Sequence, residues 1–410
     1  MLKAGALYLS IIVAFLIAVI CASLIMLAVH YKSAYLKELR FDRLILNLDS
    51  AVELALEDTD LIDPSELIDL YDQHSDSILI DKKHWGMFGL VNTTAFISKD
   101  TLKRSFLIGY ADTSDKVVLY VKDENRPLSL SGETRITGEV FLPKSGVKKA
   151  FVETRRYSGD KLIYGQIRNS EEELPPLQKT IIEAVSRKIN DNSGRQAYVA
   201  EDQENSFYNP VKILSIQPQT HLMHAISGNI ILVCDGALIL EASAKLDGVQ
   251  VYAAYIKVER GFSGNCQLFA RDSVVVGDQA QFLYPSGIAI IQPDSARSVS
   301  KISIGKDLSF QGYMLSYLKK TAALRPQITL GKNARISGEI YSDGPMLIEP
   351  GLELNGKLTC ERFLMKTASS IYENVLLDVK FNRKSRSQYY LSPGVITGAM
   401  LEKKILKWLN

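Results

Sequence analysis

The chain has 410 residues, enough for two or three domains, with charged residues at 23% and a formal net charge of +2. That balance excludes the basic footprint of a nucleic-acid binder and the polar, highly charged composition of a disordered chain. Cys21, Cys234, Cys266 and Cys360 include no Cys-x-x-Cys pair. With Cys21 in an apolar segment, the remaining odd count argues against a disulfide framework or a zinc site. Buried thiols are the expectation.

From Ala4 to Val29 no residue is charged. A bilayer needs about 20 apolar residues, so residues 1–30 read as one transmembrane helix. The small residues Ala22 and Ser23 lie inside the run, where a signal-peptide cleavage site would follow it. Residues 31–57 contain no Gly or Pro and are rich in helix formers. They read as a helical extension, giving one helix of roughly 75 Å at 1.5 Å per residue. Phe41, Leu44, Leu48, Ala51 and Ala55 follow 3-4-3-4 spacing and form a packing stripe.

Residues 58–125 read as a small α+β region. Asp63-Pro64-Ser65-Glu66 has the pattern of a helix start, and Leu67, Leu70 and Tyr71 would face one way. Strands are expected around Ile78–Ile80, Thr94–Ile97 and Val117–Val121.

A repeat dominates the remainder. Two apolar residues stand two apart, a third follows six later, and a glycine two after that. Copies are Leu128-Leu130-Ile136-Gly138, Leu238-Leu240-Leu246-Gly248, Ile302-Ile304-Phe310-Gly312, Ile328-Leu330-Ile336-Gly338 and Met346-Ile348-Leu354-Gly356. Val274-Val276-Phe282 fits but has Tyr284 in the glycine place. Alternation at period two means strand, and recurrence at fixed offsets means stacked coils. The expected class is mainly β: an interrupted parallel β-helix over residues 126–398, behind the helix and the α+β region. Leu240, Leu246, Ile304, Phe310, Leu330, Ile336, Ile348 and Leu354 point inward. A helical insertion is expected at about 171–206, where Ile181, Ile182, Val185 and Ile189 are spaced as on a helix. Residues 399–410 read as an amphipathic helix capping the last coil.

The run Ile328 to Ile340, repeated from Met346 to Leu358, resembles the repeat of bactofilins, bacterial polymer-forming scaffold proteins. The likeness covers about 210–393 and implies a β-solenoid. Its long insertions depart from the short bactofilin core. Residues 1–57 resemble the N-terminal helix of type IV minor pilins and tip pseudopilins. Lys3-Ala4-Gly5-Ala6 precedes the apolar run, and Asn47 to Leu56 matches the stretch after it. The resemblance implies cleavage between Gly5 and Ala6. Most pilins then carry Glu at the fifth mature position, where this chain has Ser10. Tip pseudopilins lack that Glu. A plain signal anchor is the alternative.

Sidedness is contested within the sequence. Lys32, Lys37, Arg40 and Arg43 follow the span, so a Lys/Arg count favours a cytoplasmic C-terminal side. The pilin resemblance requires the opposite. The expectation is a single-pass inner-membrane protein with its C-terminal domain on the periplasmic or extracellular side.

No catalytic site is expected. His221 and His224 would point to opposite faces of a strand. No Walker loop or Gly-x-Ser-x-Gly elbow occurs. Asp247, Glu259, Arg260, Arg271, Asp272 and Asp278 do not repeat as a column on neighbouring coils. Arg383-Lys384-Ser385-Arg386 reads as a solvated basic loop. The reading is therefore a structural or assembly protein of the bacterial envelope, non-enzymatic, without metal or cofactor. Its partners would be the bilayer and other envelope proteins met through the N-terminal helix, with no nucleic acid. A cytoplasmic, membrane-tethered bactofilin-like scaffold is the alternative, and a carbohydrate-active β-helix the third reading.

Overall fold

A computed structural model describes residues 2–57, 66–71, 76–111, 115–190, 193–292, 298–319, 324–366, 370–396 and 402–409. The protein is mainly β, with one long apolar helix at its N-terminus. It divides into two compact units, residues 1–82 with 92–104, and residues 83–91 with 105–410.

In the first unit, α1 runs unbroken from Leu2 to Glu57. Residues 5–39 are exposed throughout, and burial begins only beyond them. Glu66–Ile68 is a strand paired antiparallel with Ile78–Ile80. This corrects the helix expected after Asp63; Asp63-Pro64-Ser65 itself lies outside the described residues. Leu67 faces Leu79 across the ladder, and strand pairing overrides the local start pattern.

The second unit is built on parallel ladders. Leu238, Ile256, Val274, Ile302, Ile328, Met346 and Phe363 align in one column. Leu240, Val258, Val276, Ile304, Leu330 and Ile348 align in the next. Phe282, Phe310, Ile336, Leu354, Phe381 and Ile136 form a third. Every member is buried. Fully burying such a side chain contributes about 1.5–3 kcal/mol, so these columns dominate the stability of the unit.

A glycine column runs beside them. Gly312, Gly338 and Gly356 lie in register. A Cβ on Gly338 would come within 1.8 Å of the Gly312 carbonyl oxygen, and one on Gly356 within 1.7 Å of that of Gly338. Gly338 also holds φ at +146°, a region L-residues avoid. In the coil at 274, Ser286 takes the glycine place rather than Tyr284. The register shifts between Phe282 and Ser286, so Leu283-Tyr284-Pro285 bulges out of the ladder.

Stacking order differs from chain order. Leu358–Cys360 pairs with Leu119–Val121, Phe381 with Ile136, and Leu376 with Leu130. Residues 346–360 are thus met by Phe363–Lys366, Lys380–Asn382 and Val117–Val121, which come from separate parts of the chain, and residues 128–142 and 147–169 pair beyond them. The ladders begin at Val117, not near residue 126.

Residues 171–206 therefore do not merely interrupt the repeat. They carry the chain from the ladder strand Ile167–Asn169, paired with Val140–Leu142, to Arg195–Ala197, paired with Ile213–Ser215. Asp123 donates its N–H to Glu171 at 2.9 Å, and the Tyr341 hydroxyl donates to the Pro175 carbonyl at 3.0 Å. Helix α2, Lys179–Asn190, follows with Ile181, Ile182 and Val185 buried. Arg195–Ala197 then pairs with Ile213–Ser215, and Gln203–Asn205 with Ile226–Gly228.

The helix expected at 399–410 is a strand, Glu402–Leu409, antiparallel to Ser105–Ala111. Its register shifts between Ile405 and Lys407. The extra residue breaks the period of two and leaves Ile405, Leu406, Trp408 and Leu409 spaced as on a helix.

Candidate functional site: the N-terminal helix

The apolar half of α1 presents Leu7, Tyr8, Phe15, Ile25 and Met26 to the outside, each at least 66% exposed. It is long and apolar enough to cross a membrane. Its two hydroxyls turn back on the helix: Ser10 donates to the Leu7 carbonyl and Ser23 to that of Val19, both at 2.8 Å. In hydrocarbon such groups need an internal acceptor, and here the preceding turn provides one. A Cβ on Gly5 would meet nothing within 4 Å, so the Gly5–Ala6 bond lies on an open helical surface.

The stripe divides. Leu44, Leu48, Ala51 and Ala55 are buried, at 2% exposure or less, whereas Phe41 is 49% exposed. Phe41 lies on the turn before α1 becomes covered, so helical spacing alone placed it one turn too far. Asn47 and Val52 join the buried face instead.

Polar contacts fix this half of the helix. Arg43 makes a two-pronged contact with Asp76, Nε to Oδ2 at 2.8 Å and Nη2 to Oδ1 at 3.1 Å. The Asn47 amide donates to the same carboxylate at 2.7 Å. Arg40 pairs with Asp100 at 2.8 Å, and Arg104 pairs with Asp49. Two of the four cations that follow the apolar half of the helix, Arg40 and Arg43, thus have carboxylate partners in the folded protein.

The residues weighed for chemistry are dispersed. His221 Nδ1 lies 2.5 Å from Glu241, while His224 Nδ1 meets the Tyr198 hydroxyl at 3.1 Å, so the two rings share no site. Glu259 pairs with Lys257, Arg260 with Gln279, and Asp272 with Arg271. Asp278 accepts the Lys306 N–H at 2.7 Å. Among the described residues no group of three His, Cys, Asp or Glu could hold a metal. Cys234, Cys266 and Cys360 are buried free thiols, and burial pushes the thiols of all three up.

Sequence reasoning missed one buried polar cluster. Arg386, read as part of a solvated loop, has a side chain only 5% exposed and pairs with Glu339 at 2.7 Å. Its guanidinium lies 4.5 Å from the Tyr390 ring centre. Tyr390 donates to the Gly312 carbonyl at 3.0 Å, and Tyr284 donates to the Leu391 carbonyl at 2.9 Å. Residues 386–392 are thereby strapped across the glycine column. The one available signal was the missing side chains at Gly312, Gly338 and Gly356, which leave room for a strap.

No family model matches the chain, and no curated protein matches it. Among solved structures it is similar to the competence-associated pilin ComZ from Thermus thermophilus, at 8% identity and a TM-score of 0.25, over 85% of this chain and 87% of that one.

Proposed function

We propose that the chain is a single-span, membrane-anchored structural protein of the bacterial envelope, held by α1 and carrying a β-solenoid, in the manner of a minor pilin or pseudopilus-tip component. The observation that carries this reading is the continuity of α1. One unbroken helix has an apolar first half with every described side chain exposed, and from residue 40 onward one face that is buried and ion-paired to its own unit. Such a first half needs an apolar surrounding, and lipid supplies it. The solenoid reading rests on the parallel columns and the glycine register. The Gly5–Ala6 junction favours the pilin-like form over a plain anchor, and Ser10, standing where most pilins carry Glu, narrows that form to the tip subgroup. The protein acts by position and assembly, without enzymatic turnover.

A cytoplasmic scaffold tethered by the same helix is the second reading, favoured by the Lys/Arg count after the span. N-terminal sequencing of chain extracted from native membranes separates the pilin-like form from the rest. A mature chain starting at Ala6 supports it; one starting at Met1 or Leu2 leaves the tether.

A further inference from the structure

Within the second unit, a cleft of about 430 Å³ opens between the hairpin at 85–88, the coils at 204–208 and 247–249, and the strand Glu402–Leu409. We propose that this cleft binds a short neutral saccharide. The inference concerns a ligand site and stands whether or not α1 spans a membrane.

The lining carries the argument. Ligand pockets typically enclose about 300–1,000 Å³, so this one suits a molecule of one or two rings. Its floor is rigid. Trp85 is buried, packs edge-on against Phe207 with ring centres 5.2 Å apart, and donates its indole N–H to the Gly248 carbonyl at 3.1 Å. Two further aromatic rings stay open at the mouth, Trp408 at 51% and Tyr208 at 42% exposure. Trp408 leans on Phe106 at 5.3 Å, which fixes its ring on one side.

Between these rings stand polar groups of a particular kind. Glu204, Asn265, Ser227 and Asp247 line the same cleft. Among the described residues that line it the one cation is Lys407, which lies 3.3 Å from Asp247. The lining is therefore net negative, which disfavours phosphates and carboxylates. It is too polar for a wholly apolar ligand, whose entry would strip water from the exposed Glu204 carboxylate without replacement. A pyranose ring answers both demands. Its C–H face packs on an aromatic ring, and its hydroxyls donate to carboxylates and exchange hydrogen bonds with an amide.

The chain supplies its own reporter. It has two tryptophans, and both line this cleft. Cellobiose, maltose and chitobiose are titrated in turn against the detergent-solubilised full chain, read by tryptophan fluorescence and by calorimetry. A saturable fluorescence change with at least one of the three is expected. Trp408→Ala should weaken that binding at least tenfold. Tyr208→Ala should weaken it several-fold with far-UV circular dichroism unchanged, and keeps the test decisive if Trp408→Ala misfolds. No saturable response to any of the three, or binding that survives Tyr208→Ala and a folded Trp408→Ala unchanged, overturns the proposal.

Discussion

Glu339 and Arg386 form an ion pair at 2.7 Å with both side chains at least 94% buried, although 47 residues separate them. Ser392 donates its hydroxyl to the same carboxylate at 2.7 Å. The pair fastens the 386–392 strap to a ladder strand. A buried pair adds little over a well-packed apolar one, but breaking it leaves an uncompensated charge. Arg386→Ala should therefore destabilise the protein by about 3–5 kcal/mol. Urea denaturation of the two single variants and of Glu339→Leu/Arg386→Met tests this. The double variant should recover most of the loss, and a double variant as unstable as the singles would contradict the account.

Gly338 has no room for a side chain, since a Cβ would stand 1.8 Å from a neighbouring carbonyl oxygen. Gly338→Ala should cost more than about 3 kcal/mol, far above an ordinary surface change. Gly146→Ala is the control, because a Cβ there meets nothing within 4 Å although φ is +76°. It should cost only the backbone strain, about 1 kcal/mol. Equal losses at the two positions would show that the register is wrong.

His84 gives a pH dependence of known sign. Its two ring nitrogens are buried without a hydrogen-bond partner among the described residues. Burial first, then Lys188 and Arg187, hold its pKa below 6.5. Burial also lowers Lys188, to about 8. A histidine depressed on folding binds its proton more readily when unfolded. It therefore contributes nothing to the pH dependence well above 6.5, and stability falls as pH drops from there toward the folded value. Between pH 7.5 and 5, wild type should lose more stability than His84→Phe. Parallel curves would remove His84 as the cause.

Processing at Gly5 separates two ways of using α1. If the pilin-like reading holds, a peptidase leaves Ala6 as the first residue, and Gly5→Leu blocks the cut. Mass spectrometry of the N-terminal peptide from native membranes reads the outcome. An uncut wild-type chain, or partners unaffected by Gly5→Leu, would leave only the anchor.

Much of the second unit was legible because its physics is periodic. A buried position must be apolar on every strand of a ladder, so Ile302, Ile328 and Met346 declare themselves. Gly312, Gly338 and Gly356 do so because only glycine fits there. What stayed hidden is not periodic. Spacing gives each coil but not the order of stacking, so nothing local shows that Leu119 lies on Leu358. The bulge at Ile405–Lys407 disguised a strand as a helix. Arg386 looked solvated because Glu339 is distant in sequence. In the cleft, Glu204 and Trp408 are brought together only by the tertiary fold. The helix was read easily, yet Phe41 shows that spacing does not reveal where a stripe ceases to be covered.

The central claim, a single-span anchor with the folded part outside the cytoplasm, is tested most directly by labelling an introduced cysteine. Tyr389 is 79% exposed, while Cys234, Cys266 and Cys360 are buried and Cys21 lies in the apolar half of α1. Tyr389→Cys is treated in intact spheroplasts with a membrane-impermeant maleimide and compared with lysed cells. The account expects labelling in intact spheroplasts as complete as after lysis. Labelling that appears only after lysis would place the folded part in the cytoplasm and contradict it.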